Sequence, residues 1–274
     1  MRIVILGSSI YSETACAMAV RMAERGHVPA GALALRTLDR ATLLRKLGQW
    51  GVRRVAGYAR AKLIPPHGNE QPQVRNPYLE PLLKHEKGMF RSLSEVGVSY
   101  GFSVMVCSDQ NATDSIARMK EWAPDLIIFT GGNILRKQLL EVPRLGVINV
   151  HLGLLPEIRG MSSPEWSLLN QVPIGITIHY VDEGIDTGPV LRRCEFPGAA
   201  QCESLNDLRD RLIAFGVENV AEVVAGLDCG TISATPQSDR GRDNQYFVMH
   251  QWLQARAAEH FQKSPAAVAG TVNG

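Results

Sequence analysis

Two stretches of the 274-residue chain carry side chains whose types and spacing suit chemistry. In Gly146–Gly160 (GVINVHLGLLPEIRG), Asn149 and His151 stand two apart on a strand-like run, so both point to one face. They lie at the C-terminal end of that run, where open α/β sheets place their ligands. A carboxamide beside an imidazole is a poor choice for packing alone. The pair either satisfies backbone groups of the next loop or serves a bound molecule, and the residues by themselves favour neither. In Ile176–Leu191 (ITIHYVDEGIDTGPVL), Asp182, Glu183 and Asp186 fall within five residues. Gly184, Gly188 and Pro189 force a tight loop around Asp186. An aspartate in such a loop most often forms an Asx turn. His179 stands mid-strand, where a lone histidine more often packs or forms a wall than reacts.

The rest of the composition narrows the chemistry. The five cysteines (Cys16, Cys107, Cys194, Cys202 and Cys229) form no C-x-x-C pair. An odd number without that spacing argues against a disulfide framework or a zinc site and for reduced thiols in a cytoplasmic protein. The seven histidines include no H-x-x-x-H or H-E-x-x-H, so no metal is expected. Lys plus Arg number 29 and Asp plus Glu 27, which lacks the concentrated basic excess of a dedicated nucleic-acid binder. The longest apolar runs fall far short of the ~18 residues that cross a membrane, so no membrane partner is expected. The N-terminal MRIVILGSSIYSE has too short an apolar run for a signal peptide and reads as a buried first strand. With 45% hydrophobic and 20% charged residues, the chain can bury a sizeable core.

These stretches need a scaffold, and the first half alternates strand and helix signals. Arg2–Leu6 is a branched apolar run. Residues 12–25 read as a helix capped by Ser12 and stopped by Gly26. Val28–Leu35 is a second strand. Asp125–Thr130 and Gly146–His151 are continuous apolar runs of the kind found in central parallel strands, with helices near 111–122 and 135–141 between them. Residues 36–62 hold eight Lys or Arg and one acid, Asp39. They read first as a surface helical pair with a solvated basic face, and alternatively as an insertion that holds a phosphorylated substrate. Residues 63–78, with Pro65, Pro66, Pro72 and Pro77, read as a loop. Beyond residue 172, Ile174–Val181 and Val190–Phe196 form an expected antiparallel hairpin. Leu205, Leu208, Leu212, Phe215, Val220 and Val223 then repeat at helical spacing behind a capping-box-like start at Ser204 and Asp207. A short strand near Ile232–Thr235, a last helix over about 246–263 and a loose tail from Ser264 complete the reading. The expected division is a catalytic domain over 1–230, with an insertion at 36–80, and a C-terminal extension over 231–274.

Together the two stretches resemble the formyltransferase family, which includes glycinamide ribonucleotide formyltransferase, methionyl-tRNA formyltransferase and the nucleotide-sugar N-formyltransferases. LEVPRLGVINVHLGLLPEIRG is similar to that family's N-x-H…LLP…RG signature, and DEGIDTGPV to its D-x-G-x-D-x-G signature. The likeness is close over about 125–195 and loose over 1–35. With the element order, it implies a Rossmann-like α/β fold: an open, mostly parallel sheet with helices on both faces and an antiparallel hairpin near the site. It implies catalytic roles for Asn149, His151 and Asp186, with 10-formyltetrahydrofolate as formyl donor, a primary amine as acceptor and no metal. The amine would attack the formyl carbon. Protonated His151 and the Asn149 amide would donate hydrogen bonds to the oxyanion, and Asp186 would take the amine's proton and orient His151. By the same resemblance, the backbone of Gly131–Leu135, with Ile134 and Leu135, lines the pterin slot. Asp182 and Gly184 form its opposite wall, and Leu154, Leu155 and Pro156 its floor. Arg159 and His179 are expected on the acceptor side.

The chain departs from the family pattern in places. Gly153 stands where a serine commonly precedes Leu-Leu-Pro, Ile158 where an aromatic commonly precedes Arg-Gly, and GSSIYS (Gly7–Ser12) is not a Gly-rich phosphate loop. Methionyl-tRNA enzymes append a basic OB-like domain, whereas Asp210–Gly274 is neither strongly basic nor strand-rich, so a tRNA acceptor is not expected. Glycinamide ribonucleotide enzymes look shorter and lack an insertion like 36–80. The expectation is therefore a small-molecule N-formyltransferase, with a nucleotide-linked amino sugar as acceptor, whose diphosphate the 36–62 stretch faces only in its alternative reading. The alternatives are a formyltransferase acting on glycinamide ribonucleotide or methionyl-tRNA and, from another class, a catalytically dead folate-binding module. Trp166 is expected in a helix core with Leu169, and exposed apolar strands near the C-terminal hairpin are expected to support a homodimer.

Overall fold

A computed structural model describes residues 1–36, 76–86, 88–238 and 244–263. The basic stretch beyond Arg36, the proline-rich residues up to 75 and the tail from 264 lie outside the described residues. The first strand, β1 (Ile3–Gly7), is fully buried and leads into α1 (Glu13–Glu24). The Ser12 side chain caps α1 by accepting from the Ala15 N–H, satisfying one of the helix's orphan donors. Strand β2 (Gly31–Leu35) follows. From Asn76 onward, that residue's side chain caps a short 3-10 turn at Pro77–Leu79, which precedes the single-turn helix α2 (Glu80–Leu83) and a small hairpin of β3 (Lys84–His85) and β4 (Gly88–Met89). Next come α3 (Leu93–Tyr100), β5 (Ser103–Cys107), α4 (Thr113–Trp122), β6 (Leu126–Phe129) and α5 (Lys137–Leu140). The last of these is one turn, shorter than the expected 135–141.

Strand β7 (Gly146–His151) is followed by β8 (Arg159–Gly160), α6 (Ser163–Leu169), β9 (Gly175–Tyr180), β10 (Val190–Glu195) and the long α7 (Leu205–Asp228). Helix α7 starts as the sequence predicts: the Ser204 hydroxyl accepts from the Asp207 N–H, and Asp207 in return accepts from the Glu203 N–H. The sheet order is β10-β9-β7-β6-β1-β2-β5. The five strands from β7 to β5 run parallel, while β9 is antiparallel to both β7 and β10. The expected α/β architecture, with its antiparallel hairpin, is the one observed.

Alternation along β1 divides the core. Ile3 and Ile5 pack under α1, α3 and α7, whereas Val4 and Leu6 pack on the other face with Met119 and Trp122 of α4 and Leu139 of α5. Burial on both faces is why these strands read as continuous apolar runs rather than alternating ones. The C-terminal segment differs from expectation. Instead of a strand over 232–235, Thr235 makes one antiparallel bridge to Val190, with both N–H···O bonds at 2.8 Å. Tyr246 is not helical: β11 (Gln245–Tyr246) pairs in parallel with β8, and the last helix, α8 (Gln251–Lys263), begins later and packs on α6. Long-range pairing with β8 overrides local helical spacing there. No helix among the described residues is long and apolar enough to cross a membrane.

Candidate active site

Strand register assembles the site. In the β7–β9 pair, Asn149 lies opposite His179 and His151 opposite Thr177. Residues two apart share a face and cross-strand partners are close neighbours, so one amide and two imidazoles gather at the end of β7. The loop after β9 then brings in Asp186, held with a left-handed φ of 53°. Its Oδ2 lies 3.2 Å from His151 Nδ1 and accepts the Gly160 backbone N–H at 2.8 Å. Its Oδ1 lies 3.5 Å from His179 Nε2. His151 and His179 are buried, at 5% and 2% exposure.

The other ring nitrogens fix the protons. His151 Nε2 lies 2.7 Å from the Ile158 carbonyl and His179 Nδ1 lies 2.8 Å from the Tyr180 carbonyl. A carbonyl only accepts, so each of those nitrogens carries the hydrogen. The nitrogens that remain both face the Asp186 carboxylate. Burial pushes the His151 imidazole below its ordinary value, against the upward pull of Asp186. Burial also pushes the Asp186 carboxyl up, but His179, His151 and the Gly160 N–H outweigh it and hold it at about 2. Asp186 is therefore ionised at neutral pH. A proton added between it and His151 converts a lone-pair contact into a charge-assisted hydrogen bond.

Both His151 nitrogens are turned to protein acceptors, so the ring does not present a free N–H to an outside oxyanion, contrary to the expectation from sequence. The Asn149 carboxamide differs: it is half-buried, and its side chain makes no hydrogen bond among the described residues. Gly153 belongs to this arrangement, because a Cβ there would meet His151 Nε2 and the Ser163 Cβ, each at 3.0 Å. The missing serine thus coincides with the space the ring uses.

The other expected residues divide. Ile134 is 79% exposed beside the Gly131–Gly132 turn, free to offer an apolar face. Leu135 is buried with Val4 and Leu6, and Leu154 and Leu155 are buried as well, so these side chains build core rather than a slot wall. Pro156 is half-buried and follows a cis bond. The Asx turn belongs to Asp182, which accepts from the Gly184 N–H at 3.1 Å and the Thr187 hydroxyl at 2.7 Å, and not to Asp186. His179 is no open wall but a buried partner of Asp186. Arg159 is buried and donates to Gln237 Oε1 at 3.1 Å, so it is engaged inside the fold rather than extended to an acceptor. Trp166 is not a helix-core residue: its ring lies 4.8 Å from that of Tyr246, and its N–H donates to the Phe247 carbonyl.

Two residues that the sequence does not single out brace the loops. Thr177 donates to the Gly153 carbonyl at 2.8 Å and accepts from the Leu155 N–H at 3.0 Å. Gln110, fully buried, donates to the Gly7 carbonyl and accepts from the Asn133 N–H, fixing the turn that carries Ile134. Thr177 is signalled only by sharing the period-2 face of β9 with His179, and Gln110 has no motif of its own. Among the described residues, no group of three or more His, Cys, Asp or Glu can hold a metal ion.

Comparison with known proteins gives the chain a family. The formyl transferase family model matches residues 83–224, which contain Asn149, His151, His179 and Asp186. Methionyl-tRNA formyltransferase of Pelobacter propionicus is 34% identical over 149 residues, 54% of this chain and 46% of that protein. The enzyme of the same name from Geobacter metallireducens is 35% identical over 146 residues, 53% of this chain and 47% of that protein. The chain thus spans about half the length of the curated relatives it matches. Among solved structures, glycinamide ribonucleotide transformylase 1 from Symbiobacterium toebii aligns with a TM-score of 0.54 at 18% identity, covering 87% of this chain and 94% of that one. An N-formyltransferase from Helicobacter canadensis, solved with folinic acid and dTDP-3-aminofucose, aligns with a TM-score of 0.54 at 14% identity, covering 90% of this chain and 71% of that one. The likeness to these structures is one of fold, and the match over more than half of its residues places the chain in the formyl transferase family.

Proposed function

We propose that the protein transfers a formyl group from 10-formyltetrahydrofolate to a primary amine of a small molecule, with a nucleotide-linked amino sugar as the leading acceptor. The observation that carries the reading is the Asp186 carboxylate set between His151 and His179, with Asn149 beside them. Attack by an amine on the formyl carbon builds negative charge on the formyl oxygen and leaves a proton on the nitrogen. Asn149 is the donor in a position to stabilise that oxygen. Asp186 and its partner His151 together take that proton; the oxyanion then collapses, the bond between the formyl carbon and N10 of the folate breaks, and the proton passes on to N10, which leaves as the amine of tetrahydrofolate. His151 therefore acts with Asp186 in moving a proton rather than as the oxyanion donor. Folate fits the residues present: Ile134 is exposed at 79% and Ile185 at 43%, so the loops carrying them offer apolar surface to a pterin ring. A binding-only module has no use for a half-buried carboxylate matched to two imidazoles.

A second reading, transfer to methionyl-tRNA, is favoured by the names of the curated relatives and counts against the expectation that tRNA is not the acceptor. One assay separates them. Consumption of 10-formyltetrahydrofolate is followed by absorbance with dTDP-linked amino sugars, glycinamide ribonucleotide, methionyl-tRNA and no amine. Turnover confined to the amino sugars supports the leading reading, and turnover with methionyl-tRNA alone selects the second. Turnover without any amine identifies a hydrolase, and none in any arm removes the transferase reading.

A further inference from the structure

Asp186 takes a left-handed backbone conformation that costs a non-glycine residue energy, so its loop must be held from outside. The holding group comes from beyond residue 224, where the family match ends. We propose that Gln237 is a positioning residue that fixes the Asp186 carboxylate against His151 and thereby sets the rate of proton transfer. This rests on the proton-accepting role proposed for Asp186.

Gln237 engages both ends of its carboxamide. Its Nε2 donates to the Asp186 carbonyl at 2.9 Å and to the Gly188 carbonyl at 2.7 Å. Its Oε1 accepts from Arg159 Nη2 at 3.1 Å. Carbonyls only accept and a guanidinium only donates, so one orientation of the amide satisfies all three contacts. Arg159 immediately precedes Gly160, whose N–H donates to Asp186 Oδ2 at 2.8 Å. Gln237, Asp186, Gly160 and Arg159 therefore close a ring: the backbone of Asp186 is tied to Gln237, and its carboxylate to the strand that Gln237 also holds. Two further links anchor this ring. Thr235, two residues before Gln237, is bridged to Val190 at the end of the Asp186 loop. On the other side, β11 lies so close to β8 that a Cβ on Gly160 would come within 2.1 Å of the Tyr246 carbonyl oxygen. The C-terminal segment is thus part of the mount for the reacting carboxylate. A rigid mount matters because small misplacements of a proton-transfer group cost large factors in rate.

The test uses two variants of the full chain. Gln237→Ala removes the tie. Gln237→Glu keeps its size and its Arg159 contact but replaces the two donors with an acceptor. Hydrogen exchange at the Gly160 amide is read by NMR in the absence of any acceptor, and kcat and the KM for 10-formyltetrahydrofolate are read with whichever of the four amine conditions supports turnover. In both variants the Gly160 amide should exchange about tenfold faster or more, and kcat should fall about tenfold with the donor KM held within about twofold. In an Asp186→Asn background, Gln237→Ala should cost nothing further, because the group it positions is gone. Unchanged Gly160 exchange overturns the proposal, as does unchanged kcat in both variants or a fully additive double-variant loss. If the alanine variant fails to fold, the same exchange and rate measurements on the glutamate variant decide the matter. A wild-type rate in Asp186→Asn would instead remove the role of Asp186, while the exchange result would stand on its own.

Discussion

The two halves of the sheet are built to different ends. From β5 to β6 the strands are parallel, and β1 and β6 are covered by apolar side chains on both faces. From β7 to β10 the direction reverses, and polar groups enter the interior. Of the twelve buried polar or charged side chains among the described residues, eight (His151, Arg159, Ser163, Glu165, Ser167, Thr177, His179 and Asn219) lie from β7 onward in the chain, three of them on β7 and β9 themselves. Burying such groups costs stability unless each finds a partner. The parallel half therefore supplies the stability, and the antiparallel half uses it to hold an ionised carboxylate between two imidazoles.

The comparison can be broken most directly at His151. His151→Ala should lower kcat on the order of 10²–10⁴-fold while leaving the far-UV circular dichroism near wild type; the thermal midpoint should fall modestly, because the Ile158 carbonyl loses its partner. A rate close to wild type would end the functional assignment of this half. Leu6→Ala, in the parallel half, should do the reverse. Denaturant unfolding should show a loss of about 2–5 kcal/mol, with kcat of the folded protein preserved. If Leu6→Ala altered kcat at constant stability, the division between halves would fail. Thr177→Val lies between the two. It leaves the Gly153 carbonyl and the Leu155 N–H without their partner, so it should cost about 1–3 kcal/mol and also reduce kcat, because the loop it ties begins beside His151. A stability loss with unaltered kcat would show the tie to be structural only.

The smallest effect is in pH dependence. Burial holds the His151 imidazole below its ordinary value of 6.5, so the ring is neutral at pH 7 and activity should fall only as pH drops below that value. Asp186 opposes this by pulling the His151 value up. NMR titration of the His151 ring should therefore show its midpoint moving still lower in Asp186→Asn. A midpoint that stays put or rises would mean that the contact at 3.2 Å is not coupling the two groups.

The features that local chemistry decides are legible in the sequence: the Ser12 and Ser204 caps, the buried runs of β1, β6 and β7, and the Asn149–His151 pair at a strand end. Whatever depends on pairing is not. His179 reads as an ordinary strand residue until the antiparallel register puts it opposite Asn149 and beside Asp186. Asp182 and Asp186 are alike in residue type and local surroundings, yet one forms the turn and the other turns inward. Leu135, Leu154 and Leu155 sit next to site residues in sequence, but their side chains follow the core. Tyr246 has helical spacing with its neighbours, and local spacing cannot register that β8 waits at the other side of the fold. Gln237, a single glutamine in an irregular segment, offers no pattern at all.

Gly153 and the His151 ring share a tight space, since a side-chain carbon at 153 would lie 3.0 Å from Nε2 and 3.0 Å from the Ser163 Cβ. The two positions are therefore coupled. A serine at 153 requires the imidazole or Ser163 to give by a few tenths of an ångström, and the ring's 2.7 Å contact with the Ile158 carbonyl resists that shift. Introducing a serine there is accordingly a probe of how firmly the histidine pose is held rather than a conservative change.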